Sequence, residues 1–166
     1  MAPGGRKALL TVHLVTSLGW LGAVAAFVSL AVAGLRLSDT GLGLAAYPAM
    51  KWVTWWVIVP LAFASLASGV SASLGTQWGL VRFYWIAVKL LATAIATIVL
   101  VLHTRPVDEL AEAARATASF TPHLHGTQVF LIVVSAGALT LLVGLTAISV
   151  FKPRGLTPYG WRKQAR

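Results

Sequence analysis

Two polar residues, His13 and Lys89, lie within apolar stretches that carry almost no other charge. His13 is six residues beyond Lys7 and Lys89 is seven beyond Arg82, so on helices each lies roughly 9–11 Å past its boundary charge. An imidazole can accept a proton or bind a metal ion, and an ammonium can pair with an anionic group. Ionisable residues at such a depth in a membrane span predict a functional site.

Each of the two residues also has a purely structural explanation. A lysine two turns from the membrane interface can extend its ammonium into the lipid headgroups. A histidine near the start of a helix can be a hydrogen-bonded packing residue. If the pair does form a site, helical spacing places four supporting residues on the same two faces: Ser17 and Trp20 beside His13, and Trp85 and Thr93 beside Lys89.

A second group of histidines lies at the ends of apolar stretches. His103 ends the third stretch, and His123 and His125 precede the fourth. Histidine is a common ligand of metals and of haem iron. An HxH pair without thiolates or carboxylates is, however, a weak zinc pattern. We therefore expect these histidines to be solvated, with a metal or haem site at this end as the alternative.

The composition excludes most classes of soluble protein. Of the 166 residues, 58% are hydrophobic and 10% charged, against roughly 45–50% and about 25% in soluble domains. The mean hydropathy is +0.82. The sequence contains no cysteine, which excludes disulfides, zinc–thiolate sites and iron–sulfur clusters. A soluble enzyme, a disordered protein and a nucleic-acid-binding module are all inconsistent with these values.

Four apolar stretches must position the polar residues. A membrane-spanning helix needs roughly 20 mostly apolar residues, and four segments qualify: Leu9–Leu35, Trp52–Leu74, Phe83–His103 and Thr127–Phe151. The first is longer than the apolar region of a signal peptide, about 7–15 residues, which favours an uncleaved helix. The sequence predicts an all-α membrane protein, a four-helix antiparallel bundle in a single domain over 1–166, with a basic cytoplasmic tail over 152–166.

The charges predict the orientation of this bundle. One predicted side carries eight bases: Arg6, Lys7, Arg82, Lys152, Arg154, Arg162, Lys163 and Arg166. The other side carries four bases and all the acids: Arg36, Lys51, Arg105 and Arg115 with Asp39, Asp108, Glu109 and Glu112. Because basic loops stay in the cytoplasm, both termini should be cytoplasmic. The net charge of +9 thus indicates topology and contact with the lipid bilayer; no nucleic-acid partner is expected.

Two local sequence patterns predict further features of the helices. Pro60 lies inside the second span and removes a backbone donor, which predicts a bend near Trp56–Pro60. The loop over 104–126 contains Pro106 followed by Asp108 and Glu109, a pattern typical of a helix start. We predict a short surface helix there, on the outer face between the third and fourth spans.

Three segments carry a resemblance to known families: 13–23 (HLVTSLGWLGA), 82–90 (RFYWIAVKL) and 151–160 (FKPRGLTPYG). They resemble an uncharacterised bacterial family of predicted integral membrane proteins, which implies four helices and no particular activity. A more distant likeness is to the HemJ-type protoporphyrinogen oxidases and to the CopD membrane domain. It rests on His13, Trp20, Lys89 and Leu90. In HemJ-type proteins a histidine closely follows the lysine helix, whereas His103 here lies fourteen residues after Lys89.

The distant likeness implies that haem b or a porphyrin binds between the first and third spans, with His13 as a ligand of the haem iron and Lys89 near an anionic group. Two other functions remain open. The chain could be a non-catalytic accessory protein that packs against a membrane protein partner or forms a homo-oligomer, or it could be a small transporter. With any of these functions, we expect the chain to be a multi-pass protein of the bacterial cytoplasmic (inner) membrane.

Overall fold

The computed structural model describes residues 3–37, 40–75, 83–116 and 122–151, with 155, 157, 158, 161 and 162. Four helices in it are long and apolar enough to cross a membrane: Gly4–Arg36, Gly41–Leu74, Tyr84–Ala116 and Leu124–Phe151. The predicted all-α class and the number of long apolar helices are thereby confirmed. Several predicted boundary charges lie outside the described residues: Asp39, Arg82, Lys152, Arg154, Lys163 and Arg166.

The four long helices comprise six α-helices and one π-helical turn. In chain order the elements are α1 (Pro3–Arg36), α2 (Gly41–Val53), the π-helical turn (Thr54–Ile58), α3 (Val59–Leu74), α4 (Tyr84–Leu102), α5 (Thr104–Ala116) and α6 (Pro122–Phe151).

The second long helix begins at Gly41 rather than at Trp52, where the predicted span begins. Thr40 caps its start, and the hydroxyl of Thr40 accepts a hydrogen bond from the amide of Gly43 at 3.2 Å. The segment in which a bend is predicted, Trp56–Pro60, overlaps the π-helical turn directly before α3. Pro60 cannot donate a backbone hydrogen bond, and a widened turn is one way for a helix to pass such a residue.

The predicted short surface helix is α5, and one of its faces is buried. Val107, Leu110 and Ala111 are 4%, 0% and 0% exposed. They pack with the end of α2, where Tyr47 and Met50 are also fully buried. The helix therefore forms a packed layer with α2 instead of lying alone on the surface.

Charged and polar side chains interact at the exposed edge of this α2–α5 layer. The ammonium of Lys51 lies 3.3 Å from a carboxylate oxygen of Asp108 and 3.4 Å from one of Glu112. The indole of Trp55 donates to Asp108 at 3.2 Å. Residues that the charge count assigned to the predicted outer side thus lie together at one end of the protein.

α1 is the central helix of the packing. It contacts α2, α3 and α6, whereas α3 is the main neighbour of α4. Trp20, Val24, Phe27 and Ala31 lie on its buried face, at spacings that place them along one side of a helix. α4 and α6 make few contacts with each other, and α1 and α4 scarcely touch. This leaves α4 as the least constrained of the long helices.

Candidate functional site

His13 points toward α3. Its Nδ1 lies 3.1 Å from the hydroxyl of Ser68, and its ring lies against Gly69, where an added Cβ would be 3.1 Å from Cε1. One turn along α1, the hydroxyls of Ser17 and Ser65 are 2.8 Å apart. A row of small polar side chains therefore joins α1 to α3 and holds the imidazole in place.

The hydrogen bonds of Ser68 bear on which nitrogen of His13 carries the proton. The hydroxyl of Ser68 lies 3.1 Å from the carbonyl oxygen of Ser65 and 3.1 Å from Nδ1 of His13. A hydroxyl has a single proton, so when Ser68 donates it to Ser65, Ser68 acts as an acceptor toward His13. In that arrangement Nδ1 of His13 is the donor, and Nε2 of the neutral ring carries the lone pair.

Lys89 points toward α6. Its ammonium donates a hydrogen bond to the hydroxyl of Ser149, which in turn donates to the carbonyl of Leu145 at 2.7 Å. The ammonium also lies 6.0 Å from the ring centre of Trp85, a cation–π distance. The ion pairs found among the described residues involve Lys51, at the other end of the protein. Lys89 thus has neutral polar partners but no carboxylate partner in the described part of the chain.

His13 and Lys89 lie on different long helices, α1 and α4. These two helices do not pack directly against each other. His13 is hydrogen-bonded to Ser68 of α3, and Lys89 is hydrogen-bonded to Ser149 of α6. Both ionisable residues are half-buried. The equal depth expected from the sequence stays a prediction.

The four supporting residues have different environments. Ser17 is in the hydroxyl row and Trp85 lies beside the ammonium. Trp20 is 4% exposed and belongs to the core of α1. Thr93 is half-buried, and its carbonyl accepts the hydroxyl of Thr97 at 2.9 Å. The helical spacing identified the inward faces of α1 and α4, but only two of the four residues adjoin the polar groups.

The two outer histidines whose side chains the structure describes, His103 and His125, have different environments. His103 donates from Nδ1 to the carbonyl of Val99 at 2.6 Å and stacks on Phe130, with ring centres 5.3 Å apart. His125 is exposed, as predicted, and the side chain of His123 lies outside the described residues. Within the described ranges, no three histidine, aspartate or glutamate side chains are grouped so that they could hold a metal ion.

Sequence reasoning missed the serines that orient the two ionisable residues. Ser65 and Ser68 are three residues apart in the second span, so they share one face of α3. This polar pair in an apolar segment was a signal that could have been read. Ser149 gives no such signal, because a single serine in a span usually bonds to its own helix.

Comparisons with known protein families, curated proteins and solved structures find no match. The candidate site is therefore defined by its own geometry: an imidazole hydrogen-bonded to Ser68, and an ammonium without a carboxylate partner among the described residues.

Proposed function

We propose that this protein is a membrane-embedded binding protein for haem or a related porphyrin, held between the first and third spans, which are α1 and α4. Nε2 of His13 would bind the iron, and the ammonium of Lys89 would pair with a propionate. A bound haem would supply an iron centre able to exchange electrons. The residues of this chain bind that group, orient it and keep it out of water.

The hydrogen bonding of His13 is the observation that carries the proposal. Metal-binding histidines almost always donate their second ring N–H to a neighbouring acceptor, which fixes the tautomer and the ring orientation. Ser68 is such an acceptor, and Gly69 gives the ring a surface to lie on. The donor set present thus fits a haem iron better than it fits a metal ion that needs three protein ligands.

Lys89 supports an anionic ligand. A lysine at the centre of a membrane helix costs about 2.5–3.5 kcal/mol, and the cost is smaller at the shallower depth predicted for Lys89. The hydroxyl partner of Lys89, Ser149, carries no charge. The acids Asp108, Glu109 and Glu112 are all in α5, beyond the far end of α4. A propionate of the ligand would provide the missing negative charge. The sparse contacts of α4 with α1 and α6 would let a flat ring enter by outward movement of α4.

Membrane insertion as an antiparallel bundle is part of the same proposal. Large apolar side chains of the long helices are exposed, including Leu102 at 67%, Val133 at 65% and Phe63 at 51%. Contiguous apolar surface of this kind is stable against lipid or protein but not against water. The distribution of bases places both termini in the cytoplasm, and the membrane is the cytoplasmic membrane of a bacterium.

Titration of the detergent-purified protein with haem tests the proposal. We expect saturable binding with a Soret band, loss of that band in His13→Ala, and weaker retention in Lys89→Met. His125→Ala is the matched control, because that histidine is exposed and lies outside the candidate site. Equal binding by the wild type and His13→Ala would contradict the proposal and favour the accessory-protein hypothesis.

A further inference from the structure

An apolar cavity lies between α1, α4 and α6, in the predicted outer half of the protein. It is a cavity of about 210 Å³, lined almost entirely by apolar side chains. Trp20 forms part of its wall, about two helical turns along α1 from His13. Ile95 of α4 and Leu141 of α6 also line it, and these side chains are 50% and 39% exposed. The cavity therefore opens between α4 and α6, on the surface that faces lipid in the proposed bundle.

Thr54 supplies an unsatisfied polar group in this cavity. Its side chain is 2% exposed, and Oγ1 has no hydrogen-bond partner among the described residues. Threonines elsewhere in the helices donate to the carbonyl four residues earlier, as Thr97, Thr140 and Thr146 do at 2.9 Å. Thr54 starts the π-helical turn and does not make this bond. Buried polar groups without a partner are rare in native proteins, and a ligand is one explanation for such a group.

The surroundings of Thr54 favour a largely apolar ligand that carries a hydrogen-bond acceptor. Besides Thr54, the polar residues that line the cavity include Ser135 and His103. The hydroxyl of Ser135 donates to the carbonyl of Leu131 at 2.6 Å and Nδ1 of His103 donates to Val99, so the hydroxyl proton of Thr54 is the one left for a ligand oxygen. A carbonyl oxygen on an apolar ring needs only the one donor that Thr54 offers.

The volume limits the size of that ring. An engineered apolar cavity of about 150 Å³ holds benzene, so about 210 Å³ accommodates one substituted six-membered ring and no porphyrin. We infer that this cavity binds the head group of a lipid-soluble quinone, with Thr54 donating to a ring carbonyl and the tail leaving between Ile95 and Leu141. The ligand differs from that of the porphyrin site, and of the residues that the sequence assigned to that site Trp20 also lines this cavity.

Binding of decylubiquinone to the full-length protein in detergent micelles tests this inference, with decylbenzene as the probe that lacks oxygen. We expect saturable calorimetric binding of the quinone and only micelle partitioning of decylbenzene. Thr54→Val keeps the shape of the side chain but removes the donor, so it should weaken quinone binding about three- to tenfold. The melting temperature of the unliganded Thr54→Val variant should stay equal or rise, because an unsatisfied hydroxyl has been removed.

A cavity-filling variant provides a second test of quinone binding. Gly137 lines the cavity, and a Cβ added there meets open space, so Gly137→Leu should abolish quinone binding. Gly144→Leu is the matched control on the same helix, since Gly144 is equally open but does not line the cavity. Equal binding of both probes, or unchanged quinone binding in Thr54→Val, would overturn the inference. His13→Ala should bind the quinone normally, which separates this result from that of the haem titration.

Discussion

The single proton of the Ser68 hydroxyl links a small residue on α3 to the chemistry of His13 on α1. When that proton goes to the Ser65 carbonyl, the imidazole donates from Nδ1, and Nε2 is left with its lone pair. A change at Ser68 should therefore alter ligand binding without removing any atom that touches the ligand.

We predict that Ser68→Ala lowers haem affinity about 10- to 100-fold, the range typical of residues that orient a metal ligand. The measurement is the Soret titration. Ser71→Ala is the control, because its hydroxyl is exposed and bonds only to the carbonyl of Ala67 in the same helix. If the two variants bind haem equally well, Ser68 does not orient the imidazole.

A close approach between α1 and α2 gives a second prediction at this scale. A Cβ at Gly34 would lie 2.7 Å from Cζ of the Tyr47 ring, which is fully buried. Gly34→Ala should therefore destabilise the protein by about 1–3 kcal/mol through overpacking. Gly22→Ala meets open space and should be neutral or slightly stabilising. Unfolding in detergent measures both, and equal stabilities would show that the ring moves aside freely.

The sequence predicted the inward face of α1, because His13, Ser17 and Trp20 recur at helical spacing. It did not predict the partners Ser68 and Ser149. Those contacts depend on which helices become neighbours, and helical spacing carries no information about that.

Among the elements, α2 and α5 show why sequence patterns can fail to predict a helix or its buried face. α2 contains Pro48 in its interior, and a proline inside a helix removes a hydrogen bond and usually ends it. Packing against α5 stabilises the segment in spite of this, with Leu110 and Met50 almost completely buried. The start of α5 was predictable from its proline and acidic residues, whereas its buried face was not.

Burial rather than charge should stabilise the α2–α5 layer. Leu110 is 0% exposed, so Leu110→Ala should cost about 2–5 kcal/mol. Lys51→Met should cost only about 0.2–1 kcal/mol, because the ammonium of Lys51 and the carboxylate of Asp108 are each about a third exposed. Chemical unfolding of the two variants gives the comparison. A larger loss for Lys51→Met would mean that the ion pairs dominate.

At the scale of the whole molecule, charged residues of the predicted outer side meet at one end of the described structure: Lys51, Asp108 and Glu112. At the other, the amide of Tyr84 donates to the carbonyl of Gly155 at 3.3 Å, which joins the start of α4 to the segment after α6. These are the two sides that the distribution of bases separates.

Cysteine labelling tests the proposed orientation directly, since the natural sequence contains no cysteine. Glu109→Cys, at an exposed position in α5, should react with a membrane-impermeant maleimide in intact cells. Arg6→Cys, at an exposed position near the start of α1, should react only after the cells are permeabilised. Labelling of both positions in intact cells is incompatible with the proposed topology.

The central claim is that His13 and Lys89 hold a porphyrin, and the absorption spectrum of the protein purified from haem-replete membranes tests it most directly. We expect a Soret band with about one haem per chain. We also expect that band to be lost in His13→Ala, while the variant keeps its helical circular dichroism. A wild-type protein that is colourless as purified and stays so after haem is added, while fully helical, would contradict it.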